Sequence, residues 1–169
     1  AAMSLNIFHR HTDRLKMANI AQIVNVLQSM ILTQGKEMVL TPTYHVFRMY
    51  NVHQDATYVP TEVAAGNIVS PSGRIMPDLS VTASKDAEGK LHVSIVNPVV
   101  DKEQTLALSF DDLNPKNVTG EVLVAETVQS YNDFGKEPVV APKPLEGIKT
   151  KGNTVTITVP AVSVVTLTI

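Results

Sequence analysis

The chain has 169 residues, with 14 Lys and Arg against 16 Asp and Glu, no cysteine, and 44% hydrophobic residues. That size holds one domain, or one domain with part of another, and a net charge of −2 lacks the clustered basic excess of a nucleic-acid surface. The missing cysteine excludes a disulfide framework and thiolate chemistry, and no apolar run reaches the roughly 20 residues of a membrane span, so neither nucleic acid nor membrane is an expected partner.

Composition shifts near residue 55. Residues 1–55 hold five of the six Met and four of the five His, whereas 56–169 hold nine of the ten Pro and seven of the eight Gly. The first part therefore reads as helical and buried, the second as β-rich with frequent turns. Met3, Ile7 and Phe8 fall at helical spacing and predict a helix from Ala2 to Arg10. Arg14 to Gln22 has a short apolar centre that suits a doubly buried strand and a helix start equally well. Ile23, Val26, Leu27, Met30 and Ile31 return to helical spacing, so Ile23–Leu32 reads as helix, followed by an exposed turn at Gly35-Lys36. Thr41-Pro42 places a capping hydroxyl before a proline at the first helical position, and this helix should run to about His53.

Beyond residue 55, Leu79–Ala83 and Leu91–Ile95 alternate with polar residues and flank Asp86-Ala87-Glu88-Gly89, a hairpin loop. Leu106–Phe110, Val118–Ala125, Val155–Val159 and Val165–Ile169 complete the strands. Such spacing indicates an antiparallel sandwich, with residues 132–152 and their three prolines crossing between sheets.

Chemistry-bearing motifs are few. His9 and His11 point to different faces of a helix, and His45 and His53 have no acidic or cysteine partner at ligand spacing, so no metal is expected. No Gly-rich phosphate loop and no G-x-S-x-G context is present. Most carboxylates fall in turns, among them Asp86, Glu88, Asp111 and Asp112, and none forms a convincing acid/base pair. Read from its residues, the chain is a β-sandwich with a helical lead-in, no cofactor and no visible active site.

Three segments change this picture. Ser4-Leu5-Asn6-Ile7-Phe8-His9-Arg10-His11 runs through Arg14 into Gln22-Ile23-Val24-Asn25-Val26-Leu27. Met38-Val39-Leu40-Thr41-Pro42-Thr43-Tyr44-His45-Val46-Phe47-Arg48-Met49-Tyr50 follows, and Asn153-Thr154-Val155 through Pro160 to Val165 closes the pattern. Together they resemble the C-terminal portion of an α-L-arabinofuranosidase of glycoside hydrolase family 51. The resemblance implies a mainly β chain: the last elements of a (β/α)8 TIM barrel in residues 1–55, then a C-terminal jelly-roll β-sandwich in 56–169. Residues 1–13 would be barrel helix seven, Leu15–Ala21 strand eight, and the helix from Pro42 helix eight.

Barrel sites lie at the C-terminal ends of strands, and the family places a glutamine there against the arabinofuranose ring. The resemblance thus makes Gln22 the substrate-binding residue. It also implies a retaining mechanism whose two glutamates lie upstream of Ala1, so this chain alone should be inactive. Implied partners are an arabinose-containing oligosaccharide or polysaccharide, the upstream barrel part of the same protein, and further copies in a homo-oligomer; the family favours a cytoplasmic location. A competing reading is a stand-alone carbohydrate-binding or oligomerisation module. Only Tyr58, Phe110, Tyr131 and Phe134 lie beyond residue 55, and there is no Trp, which leaves few aromatic platforms for sugars.

Overall fold

The computed structural model describes residues 1–169. It opens with α1 (Ala2–His9), then β1 (Ile31–Gln34), β2 (Glu37–Leu40) and α2 (Pro42–Tyr50), which ends in a 3₁₀ turn at Asn51–His53. Strands follow to the end of the chain: β3 (Thr57–Val59), β4 (Asn67–Val69), β5 (Ile75–Pro77), β6 (Ser80–Lys85), β7 (Leu91–Asn97), β8 (Gln104–Ser109), β9 (Thr119–Leu123), β10 (Lys143–Pro144), β11 (Lys149–Lys151), β12 (Thr154–Val159) and β13 (Ser163–Thr168). The six expected strands are all present. No helix is long and apolar enough to cross a membrane.

Two antiparallel sheets face each other. The larger has the order β10-β9-β13-β7-β6-β3, the smaller β11-β12-β8. Alternation sends Val81, Val93, Ile95, Val165 and Leu167 of the large sheet into one core with Val155, Ile157 and Val159 of the small one. The segment from 132 to 152 does cross between them, since β10 pairs with β9 and β11 with β12. The hairpin loop forms as its sequence requires: Asp86 Oδ1 accepts from the backbone N–H groups of Glu88 and Lys90, and Gly89 takes φ +86°.

The other face of the large sheet is shielded from solvent as well. Its cross-strand rows read Ser84–His92–Thr168, Thr82–Ser94–Thr166 and Ser80–Val96–Val164. Ser80, Thr82, Ser84, Ser94 and Thr166 are buried, because α1, α2 and the 3₁₀ turn lie over them. Val96 and Leu123 form an apolar corner with Val46, Met49 and Tyr50 of α2.

The lead-in departs from the sequence reading at two places. Leu15–Ala21 forms no strand, and Leu15 and Met17 are exposed. A parallel strand needs a ladder on its edges, and these 169 residues supply none there. Ile23–Leu32 is not a helix. Gln22, Asn25 and Gln28 take positive φ, Val24 bridges Ile31, and Asn25 clasps Thr33 by accepting its N–H at 2.7 Å and donating to its hydroxyl at 2.9 Å. These local bonds replace the i to i−4 ladder. The chain then enters the β1–β2 hairpin, whose two-residue turn has Gly35 at φ +60° ahead of Lys36.

Thr41 caps α2 as expected, accepting from the Tyr44 N–H at 3.4 Å, and its hydroxyl also donates to the Ser29 carbonyl at 2.7 Å. It thus pins the helix start to the irregular 22–30 segment. Thr41→Ala should cost about 1–2 kcal/mol, read as a lower urea midpoint at unchanged slope, and Thr41→Ser should restore most of it.

Candidate functional site

Gln22 stands where the chain leaves the 15–21 segment, exposed and at φ +43°. The backbone next to it is fixed: the Ile23 carbonyl accepts from both Met30 and Ile31 N–H groups, at 3.0 and 3.1 Å. Its side chain is free of protein partners. Around it in sequence lie exposed apolar side chains, with Met17 at 77%, Ile23 at 56% and Leu27 at 93%. An isolated exposed leucine is ordinary; here several large apolar side chains are exposed within one short segment.

A second concentration of polar chemistry lies under the helices. Asn6 donates to the Ser80 hydroxyl at 3.0 Å and accepts from the Tyr50 hydroxyl. His9 Nδ1 meets the Thr82 hydroxyl at 2.7 Å, while His53 spans Ser84 and Ser94, each at 2.7 Å. The His9 and His53 rings are 4.7 Å apart. Burial lowers the pKa of both. For His53 burial, then the neighbouring charges of His9 and His92, push it down to about 3. Burial also raises the Tyr50 hydroxyl above the usual phenol range. Neutral rings and protonated hydroxyls make this a structural joint, and no group of three His, Asp or Glu able to hold a metal occurs in the chain. His9, the last residue of α1, turns to the sheet, while His11 lies in the turn beyond the helix and faces solvent.

A third feature is a pair of hollows along residues 127–139. One, of about 300 Å³, is lined by Gln129, Tyr131 and Glu137 among others. The other, of about 490 Å³, lies between this loop, β2 and α2, and includes Leu40, His45, Asn132 and Glu137. Asp133 and Lys136 border both. Asn132 holds the loop in place, donating to the carbonyls of Leu40 and Val140 at 2.9 and 2.8 Å and accepting from the Val140 N–H at 2.8 Å. Gln22 lines neither hollow. Sequence reasoning read residues 132–152 only as a crossing between sheets; the loop's signals were Tyr131 and Phe134, two of the few aromatics of the second part.

A general acid needs a raised pKa in an apolar setting, yet no Asp or Glu is buried. Asp86 and Asp133 are displaced the opposite way, lowered chiefly by side-chain hydrogen bonds from His92 and Lys136 respectively.

Comparison with known proteins gives these features a context. The family model described as the α-L-arabinofuranosidase C-terminal domain matches residues 1–163. An intracellular exo-α-L-arabinofuranosidase from Bacteroides ovatus is 49% identical over 167 residues, which is 99% of this chain and 32% of that protein. The solved GH51 arabinofuranosidase from Xanthomonas axonopodis pv. citri is 36% identical with a TM-score of 0.93, over 99% of this chain and 34% of its own. A family 51 α-L-arabinofuranosidase from Bifidobacterium longum, at 20% identity, shares the fold with a TM-score of 0.86 over 99% of this chain and 33% of its own. The chain thus spans about a third of the length of the relatives it matches. With its mainly β architecture and this match over nearly its whole length, the chain belongs to the α-L-arabinofuranosidase C-terminal domain family.

Proposed function

We propose that this chain is the C-terminal part of a retaining α-L-arabinofuranosidase that releases terminal α-L-arabinofuranosyl residues from arabinose-containing oligosaccharides or polysaccharides. The 49% identity to an exo-α-L-arabinofuranosidase along 99% of the chain is the observation that carries this reading. In it, residues 1–55 complete a (β/α)8 barrel and residues 56–169 form its jelly-roll companion. The exposed Met17, Ile23 and Leu27 are then the faces that meet the upstream barrel, and Leu15–Ala21 becomes a strand once neighbours supply its ladder. Homo-oligomer assembly belongs to the same reading.

The chemistry rests on two glutamates upstream of this chain. One protonates the leaving oxygen while the other attacks the anomeric carbon, and water then hydrolyses the glycosyl-enzyme, the first residue acting as base. Gln22 is the contribution of this chain. Its amide offers a donor and an acceptor to ring hydroxyls at the C-terminal end of strand eight.

Kinetics of the full-length enzyme test this. Gln22→Ala should lower kcat/KM about two- to tenfold, one hydrogen bond's worth, with little change in melting temperature. Gln22→Glu adds a negative charge beside the working carboxylates, disfavours ionisation of the acid, and so shifts the alkaline limb of the pH–rate profile upward. An alanine variant with unaltered kinetics and a lowered melting temperature assigns Gln22 a purely structural role. The 169 residues alone should release no arabinose from an aryl α-L-arabinofuranoside above a buffer blank.

A further inference from the structure

Between residues 22 and 28 the backbone turns left-handed three times, at Gln22 (φ +43°), Asn25 (φ +55°) and Gln28 (φ +62°). None of the three is a glycine. Asparagine visits this region readily because its short amide can bond locally, whereas a glutamine held there is strained. Such strain persists only where the surrounding structure over-determines the conformation, and it concentrates at functional segments.

The bonds that hold residues 22–25 all come from the start of the β1–β2 hairpin. The Ile23 carbonyl takes the N–H groups of Met30 and Ile31, and the Asn25 N–H donates to the Ile31 carbonyl at 3.1 Å. The Asn25 amide carries the tie two residues further along β1. Its oxygen accepts the Thr33 N–H at 2.7 Å, and its nitrogen donates to the Thr33 hydroxyl at 2.9 Å. Thr33 is itself paired with Met38 across the hairpin, so the clasp ends on a fixed strand. Position 25 thus makes two demands, a left-handed φ and an amide that accepts and donates at once, and asparagine meets both. Glycine would meet only the first. Both clasp bonds are exposed, so water can replace them and their loss should cost the fold little. What they fix is direction, three residues from a glutamine whose own side chain has no bond to direct it.

We propose that Asn25 is the positioning residue for Gln22. By clasping Thr33 it locks the left-handed backbone of 22–25 and sets the direction in which the Gln22 amide is presented to the sugar; it touches no substrate itself. This rests on the reading of Gln22 as the arabinofuranosyl contact. A contact held in place before the substrate arrives does not have to be ordered during the reaction, which is where the gain in rate arises.

A double-mutant cycle on the full-length enzyme tests this, read as kcat/KM for an aryl α-L-arabinofuranoside. Asn25→Gly keeps the positive φ and removes the clasp. It should lower kcat/KM about two- to fivefold, and by no more than Gln22→Ala does, with the melting temperature nearly unchanged. In a Gln22→Ala background the same substitution should have no further effect, because the group it positions is gone. Thr33→Val, which keeps the N–H and loses the hydroxyl, should reproduce part of the loss in the same background-dependent way, and Thr33→Ser should restore wild-type kinetics. Where Asn25→Gly lowers the melting temperature, Thr33→Val carries the cycle in its place. A loss of equal size with and without the Gln22 amide, or no loss in either clasp variant, overturns the proposal. Unaltered kinetics in Gln22→Ala alone overturn the reading of Gln22 itself, and the positioning role with it.

Discussion

Acidification is expected to weaken this fold steeply, and His53 is the main reason. Its pKa lies near 3 in the folded chain against 6.5 when unfolded. A base with a depressed folded pKa binds its proton only in the unfolded state throughout that window. Stability is therefore complete above about pH 6.5 and falls as the pH drops toward 3, by up to about 1.4 kcal/mol per pH unit. At pH 4.5 the loss from this residue alone is roughly 2.5 kcal/mol, and His9, lowered in the same direction, adds to it. The hydrogen bonds do not oppose the proton, because Ser84 and Ser94 hydroxyls can both accept; burial does, and after it the charges of His9 and His92. Urea midpoints taken from pH 7 to pH 4 should drop more steeply for the wild type than for His53→Gln. Parallel lines for the two would remove His53 from the account.

The second large effect lies in the core. Leu167 is fully buried on β13, between β7 and β9. Leu167→Ala should cost about 2–5 kcal/mol, the transfer loss plus the cavity left behind. Its neighbour provides a sharper check. A Cβ on Gly120 would sit 2.7 Å from Leu167 Cδ2, so Gly120→Ala alone is a clash. With Leu167 already truncated that clash disappears, leaving only the milder 3.2 Å approach to the Thr166 carbonyl. The double variant should therefore be more stable than the two single losses added together, by about 1 kcal/mol or more. Strict additivity in denaturant unfolding would mean the sheet relaxes around residue 120 by another route.

The strands and α2 were legible because local and tertiary signals agree there: alternation in β6, β7, β8, β12 and β13, and the Thr41-Pro42 start. Residues 23–32 misled because their apolar spacing fits a helix, while Asn25 and Gln28 held the positive-φ turns that led into a four-residue strand. The hairpin was signalled by Gly35-Lys36 between Ile-Leu-Thr-Gln and Glu-Met-Val-Leu, a stronger cue than periodicity over ten residues. The buried outer face of the large sheet also had a signal. Positions 80, 82, 84, 94 and 166 are uniformly small hydroxyl residues, whereas a solvated face usually mixes Lys and Glu. As for the candidate site, nothing in its own spacing distinguishes Gln22, and only the resemblance singled it out. His45 and Asn132 lie 87 residues apart and come to line one hollow only through the fold.

The strand order bears on how the protein is made. β13 follows every other strand of the large sheet in the chain, yet it occupies the middle of that sheet, joining β9 to β7. Until residues 163–168 emerge, the β6–β7 and β9–β10 pairs have no strand to join them. The helix α2, which packs on β9 and β13, has to wait for β13 before it can dock. Such long-range closure is slow, and during the delay the apolar residues of the lead-in remain open to chaperones and to other nascent chains.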